Sequence, residues 1–143
     1  MSKPLATASI ELQRLDLEPV KLKLTHKEEG GDWTREQADR VGVWYKRFLF
    51  LVAKYPEKVI VPTRMIDEMW HAHILDTIKY EKDCDRIFGH FLHHFPYFGM
   101  RGESDAQELR RCFEETKKLF VQDFLEDLSA SPMTCYPMTC HNK

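Results

Sequence analysis

The chain has 143 residues, 43% of them apolar and 31% charged, with a formal net charge of -2; these values fit one compact globular domain and exclude a disordered chain. No Lys/Arg block stands out, so the electrostatic footprint of a nucleic-acid binder is missing. The longest apolar run, Phe48 to Ala53, is too short to span a bilayer, and the first residues carry no apolar signal segment. A cytoplasmic protein with neither membrane nor nucleic-acid partners is expected.

In chain order, Ser9 to Leu15 and the segment after Pro19 read as short helices, although the L-x-L alternation there also fits a strand. Gly30-Gly31-Asp32 marks a break. Thr34-Arg-Glu-Gln37 is a capping box, and Val41, Trp44, Tyr45, Phe48, Leu49 and Val52 follow at three- and four-residue steps, which predicts a long amphipathic helix ending at Tyr55-Pro56. Glu57 to Pro62 reads as an extended linker across the core surface. Thr63 is a cap for a second long helix running to Phe88, with Gly89 as its left-handed C-terminal cap. His90 to Phe95 fits one further helical turn, and Phe95 to Gly99 an aromatic loop. Ser104-Asp-Ala-Gln107 reads as a second capping box opening a last long helix with Leu109, Phe113, Thr116, Phe120 and Phe124 along one stripe. Nothing demands a sheet. The expected fold is an all-α single domain over residues 1–128, a small bundle of three long helices and shorter N-terminal ones, followed by a flexible tail at 129–143.

Five of the seven histidines fall between Asp67 and Tyr97, together with acidic residues and a cysteine. On a helix each residue advances about 100°, so Asp67 and His71 share a face while His71 and His73 point to opposite sides. His73 shares its side instead with Thr77, Tyr80 and Cys84. The second group, His90, His93 and His94, follows Gly89 and is expected to fold back towards the first. Three or four ligands drawn from imidazole and carboxylate suit Zn(II) or Fe(II), with an open coordination position where water or substrate is to be activated. The preferred ligand set is Asp67, His71 and His94, with His73 or His93 as substitutes. His73 is the candidate acid or base, with Tyr80 beside the centre as a second candidate catalytic group. The structural alternative is that Asp67 simply orients His71. Cys84 reads as a packed core thiol.

The pattern I-D-x-x-W-H-x-H-I-L-x-T-x-x-Y-x-x-D-C-x-x-x-F-G from Ile66 to Gly89, followed by H-x-P-Y-x-G from His94 to Gly99, resembles the glycine-rich domain-containing protein-like family. Tyr45-x-x-Phe-Leu and Val61-Pro62 extend the resemblance, which covers roughly Trp33 to Phe124. Asp67, Trp70, His71, His73, Thr77, Tyr80, Asp83, Cys84, Phe88, Gly89, His94 and Pro96 match its pattern. Many of these are polar, so the resemblance implies a functional site as well as a fold. The glycine-rich tail of the plant members has no counterpart here, since the whole chain holds six glycines.

The end of the chain, M-T-C-Y-P-M-T-C-H, carries soft donors at Cys135 and Cys140 suited to Cu(I) or Zn(II). Its cysteines are spaced more widely than in the M-T-C-x-x-C loop of copper chaperones. Three readings result. The first is a metal-binding helical protein, and as an enzyme one of unknown reaction acting on a small molecule. The second is a module that docks a protein or peptide on its aromatic loop, with structural histidines. The third is a copper carrier acting through the tail.

Overall fold

The structure, a computed structural model, describes residues 2–128. Among these residues it is all-α, with six α-helices, one 3-10 turn at Lys27–Glu29 and no strand. The helices are α1 (Leu5–Arg14), α2 (Glu18–Thr25), α3 (Arg35–Lys54), α4 (Arg64–Leu75), α5 (Thr77–Phe88) and α6 (Glu103–Phe124). The ambiguous N-terminal alternation is thus helical: Ala8 and Leu12 of α1 and Val20 of α2 are buried. At Gly31 a Cβ would lie 2.4 Å from the Leu24 carbonyl oxygen, so only glycine lets the chain pass this close to the end of α2.

Helix α3 is the central element and packs against α1, α2, α4 and α6. Its capping box forms as predicted: the Thr34 hydroxyl accepts from Gln37 N–H at 3.0 Å, and the Gln37 side chain accepts from Thr34 N–H at 2.8 Å. Tyr45, Phe48 and Leu51 are wholly buried on it. The linker before α4 crosses the core surface; Val61 donates its N–H to Thr116 Oγ1 at 3.0 Å and packs with Leu109, Cys112 and Phe113 of α6.

Three predicted elements differ. The helix expected from Thr63 to Phe88 is two helices, broken at Asp76, whose ψ of 74° is not helical. The reason is tertiary. Trp70 donates to Tyr80 at 3.0 Å, and His73 meets Asp83 at 2.8 Å. On an unbroken helix residues ten apart would be separated by about 15 Å of rise. Folding α5 back on α4 closes both pairs, and Asp, a weak helix former, is a low-cost place for the break.

His90 to Phe95 adds no helical turn either. Gly89, at φ 78°, ends α5 in the left-handed conformation, and the chain returns extended, held by the bond from Tyr80 Oη to the Leu92 carbonyl at 2.6 Å. The Ser104 to Gln107 capping box does not form. Helix α6 begins one residue earlier than Ser104, after Gly102, and the Asp105 carboxylate instead accepts from Gly99 N–H at 2.7 Å and Arg101 N–H at 3.3 Å, tying the aromatic loop to the helix.

Thr34→Ala removes one half of the α3 capping box and is expected to lower stability by about 1 kcal/mol. Urea unfolding checks this, with an unchanged m value showing that the two end states are the same.

Candidate metal centre

Asp67 lies in the first turn of α4, where the helix dipole favours a negative charge, and it is 2% exposed. One helical turn on, His71 places Nε2 at 3.2 Å from Asp67 Oδ2. The returning segment brings His94 Nε2 to 2.7 Å from Asp67 Oδ1 and 2.9 Å from His71 Nε2. These three side chains form a group able to hold a metal ion, and among the described residues no other His, Cys, Asp or Glu group meets the same geometry.

The protons do not close this arrangement. Each imidazole Nε2 presents a single site in its ring plane, either an N–H or a lone pair. Each is nevertheless asked to serve two contacts, one to the carboxylate and one to the other imidazole. Two N–H donors satisfy Asp67 and leave the nitrogens facing each other without a hydrogen between them; an N–H···N bond leaves Asp67 short of a donor. A cation resolves the conflict by taking all the lone pairs at once. The donor separations of 2.7–3.2 Å are slightly inside the roughly 3.3 Å that ligand atoms 2.0–2.1 Å from a tetrahedral metal would have. Asp67 is also a buried carboxylate with no Lys or Arg partner among the described residues, a condition that calls for a compensating charge.

The triad is held by stacked rings. Trp70 and His94 lie parallel, 4.1 Å apart with 1° between planes, and Phe48 of α3 packs on Trp70 at 5.1 Å. The Trp70 indole N–H donates to Tyr80 Oη, which donates in turn to the Leu92 carbonyl. Tyr80 therefore clamps the segment carrying His94 to α4. Its pKa is raised chiefly by burial, so the hydroxyl keeps its proton. His71 is half exposed and opens the triad to solvent.

The other predicted residues lie apart from this group. His73 is 1% exposed and looks into the core: Tyr45 Oη is 2.7 Å from its Nδ1 and Asp83 Oδ2 2.8 Å from its Nε2. The Asp83 carboxylate can only accept, so His73 carries a hydrogen on Nε2, and Tyr45, whose hydroxyl pKa burial raises well above its ordinary value, meets Nδ1. Burial also pushes the Asp83 pKa upward, but bonds from His73 and Lys79 outweigh it and hold the carboxyl below the usual range. His93 is exposed, with its ring tilted against Phe91 at 4.9 Å. Cys84 is buried, and burial raises its thiol pKa. Sequence reasoning missed Trp70 as the ring that carries His94 and Tyr80 as the link to Leu92; the signal that pointed to both was only their place in the motif. Cys135 and Cys140 lie outside the described residues.

Fold and site together define a small all-α protein with a buried Asp/His/His group able to hold a metal. A family model described as UCP032817-like matches residues 11–125, and the chain belongs to that family. It is also similar to glycine-rich domain-containing protein 2 of Arabidopsis thaliana, with 41% identity over 54 residues. That match covers 35% of this chain and 7% of the plant protein, so the chain spans only a small part of its curated relative. Both findings support the glycine-rich domain-containing protein-like family that the motif resembles. No solved structure matches the chain. Among the described residues no helix is long and apolar enough to cross a membrane.

A depressed carboxyl pKa contributes stability above the unfolded value of about 3.9 and loses it as pH falls through the folded value. Asp83 is such a group. Urea unfolding between about pH 6 and 3 is expected to show a smaller acid-induced loss of stability in Asp83→Asn than in the parent protein.

Proposed function

We propose that Asp67, His71 and His94 bind one divalent transition metal, Zn(II) or Fe(II), as a two-histidine, one-carboxylate centre. The observation that carries this reading is the Asp67 carboxylate, buried without a Lys or Arg partner among the described residues and met by two imidazole nitrogens that hydrogen bonds alone do not satisfy. Three protein ligands leave coordination positions for water or substrate, as catalytic centres do and closed structural zinc sites do not. A metal held there would supply Lewis acidity or activation of a bound water.

Within this proposal the chain's own residues divide the work. Asp67 supplies the negative charge and sets the direction of both imidazoles. Trp70 fixes the plane of the His94 ring, and Tyr80 fixes the backbone that delivers it. Tyr80 and His73 act as positioning residues, because their polar atoms are already engaged within the core. His93 is not a ligand in this reading.

Protein purified without a histidine tag is expected to contain about one equivalent of metal by elemental analysis, or to take it up from Zn(II), Fe(II), Mn(II) or Cu(II). Asp67→Ala and His94→Ala should lose it with the helical circular dichroism retained, while His93→Ala keeps it. Protein that stays metal-free after all four incubations would sink the proposal.

Tyr80→Phe keeps the ring and deletes both hydrogen bonds of the clamp. It is expected to weaken Zn(II) affinity by about 10–100-fold, the usual cost of losing a group that orients a ligand. Competition with a chromogenic chelator measures it, and an affinity equal to the parent's would remove Tyr80 from the site.

A further inference from the structure

Behind the Trp70/His94 stack lies a cleft of about 410 Å³, within the range of small-molecule sites. Its walls come from five separate parts of the chain: Phe48 and Val52 of α3, Pro62 of the crossing linker, Trp70 of α4, Phe98 of the aromatic loop and Leu109 of α6. Two cationic residues also border it, and both are already compensated. Lys58 lies 3.5 Å from Glu115, and Arg101 bonds Asp105 at 2.9 Å while its guanidinium sits 4.9 Å over the Phe95 ring. The cleft therefore offers apolar surface without an unbalanced charge, which selects a neutral ligand.

Its polar group of interest is His94. When a metal takes the Nε2 lone pair, Nδ1 carries the ring's hydrogen, and among the described residues no acceptor meets it. Ligating histidines ordinarily donate that second N–H. We propose that the cleft binds a small, neutral, mainly apolar molecule of aromatic-ring size bearing a carbonyl oxygen that accepts from His94 Nδ1–H. Because Trp70 and His94 belong both to the cleft wall and to the triad, this ligand lies against the metal centre and is the class of substrate the centre would receive. The Nδ1–H donor and the substrate role both rest on the metal proposal, because without a metal the hydrogen sits on Nε2 against Asp67; the apolar walls of the cleft do not.

Phenylacetone and propylbenzene share one carbon skeleton and differ by the carbonyl oxygen; phenylacetate carries a charge in its place. Each is titrated into the full-length protein, with and without Zn(II), by isothermal calorimetry and by amide chemical shifts. With Zn(II) bound the ketone is expected to bind saturably, the hydrocarbon about 3- to 10-fold more weakly, as the loss of one hydrogen bond predicts, and the anion more weakly than the ketone; without Zn(II) the ketone's advantage over the hydrocarbon should disappear. Val52→Trp and Leu109→Trp each fill the cleft from a different wall. Either variant that keeps its helicity should lose ketone binding while its Zn(II) stoichiometry is unchanged.

Zinc uptake without saturable binding of ketone or hydrocarbon overturns the cleft proposal and leaves the metal centre standing. A protein that takes up no metal overturns the metal centre and the Nδ1–H donor with it, and a ketone preference that persists without Zn(II) overturns the assignment of that donor. Tighter binding of phenylacetate than of the ketone overturns the neutral-ligand assignment, and ketone binding undiminished in a folded tryptophan variant overturns the location.

Discussion

Two hydrogen bonds that each span ten residues, Trp70 to Tyr80 and His73 to Asp83, organise the centre of this molecule. Both require α5 to fold back on α4, and the break at Asp76 is the geometric consequence. From that fold-back follows the rest of the site. Tyr80 of α5 holds the Leu92 carbonyl of the segment that turns back at Gly89, and with α5 folded against α4 this places His94 over Trp70 and onto Asp67. An unbroken helix would leave Tyr80 roughly 15 Å along the axis from Trp70, and the returning segment would have no anchor on α4.

Among the described residues two aspartates, Asp67 and Asp83, pair with histidine, and their surroundings give them different characters. The His73–Asp83 pair is complete: Tyr45 fills Nδ1, Asp83 fills Nε2, and Lys79 balances the carboxylate at 3.1 Å. Every site on the imidazole has one partner, and the pair is closed off from solvent. Asp67 has no such basic neighbour among the described residues, and its two imidazoles compete for the same donors and acceptors. Residue types alone do not distinguish these pairs. What separates them is whether the local count of charges, protons and lone pairs balances.

Aromatic packing connects the core to the candidate centre. Phe48 is fully buried on α3 and carries Trp70, which carries His94. The orientation of an imidazole at the edge of the domain is therefore set by a ring in its middle. Stacked pairs of this kind add about 0.5–1.5 kcal/mol beyond area burial, and their larger effect here is geometric: a ring held on its face has little freedom to turn its nitrogen away from Asp67.

Much of this was legible in the chain itself. The Thr34 to Gln37 capping box, the buried stripe of α3, the linker to Pro62, the left-handed Gly89 and the opposed directions of His71 and His73 are local consequences of helical period and capping chemistry, and they appear as the sequence implied. Asp67 and His71 shared a face for the same reason. The break at Asp76 was not legible, because Asp is compatible with a helix interior and the two bonds that favour the bend join residues on separate helices. Likewise Ser104 and Gln107 had the residue types of a cap, but Asp105 found loop amides to bind and moved the helix start. Local periodicity determined which side chains lie on each helix face; only the tertiary fold decided which face His94 meets, since a return from Gly89 has no period and is directed by the Tyr80 hydrogen bond and the Trp70 ring.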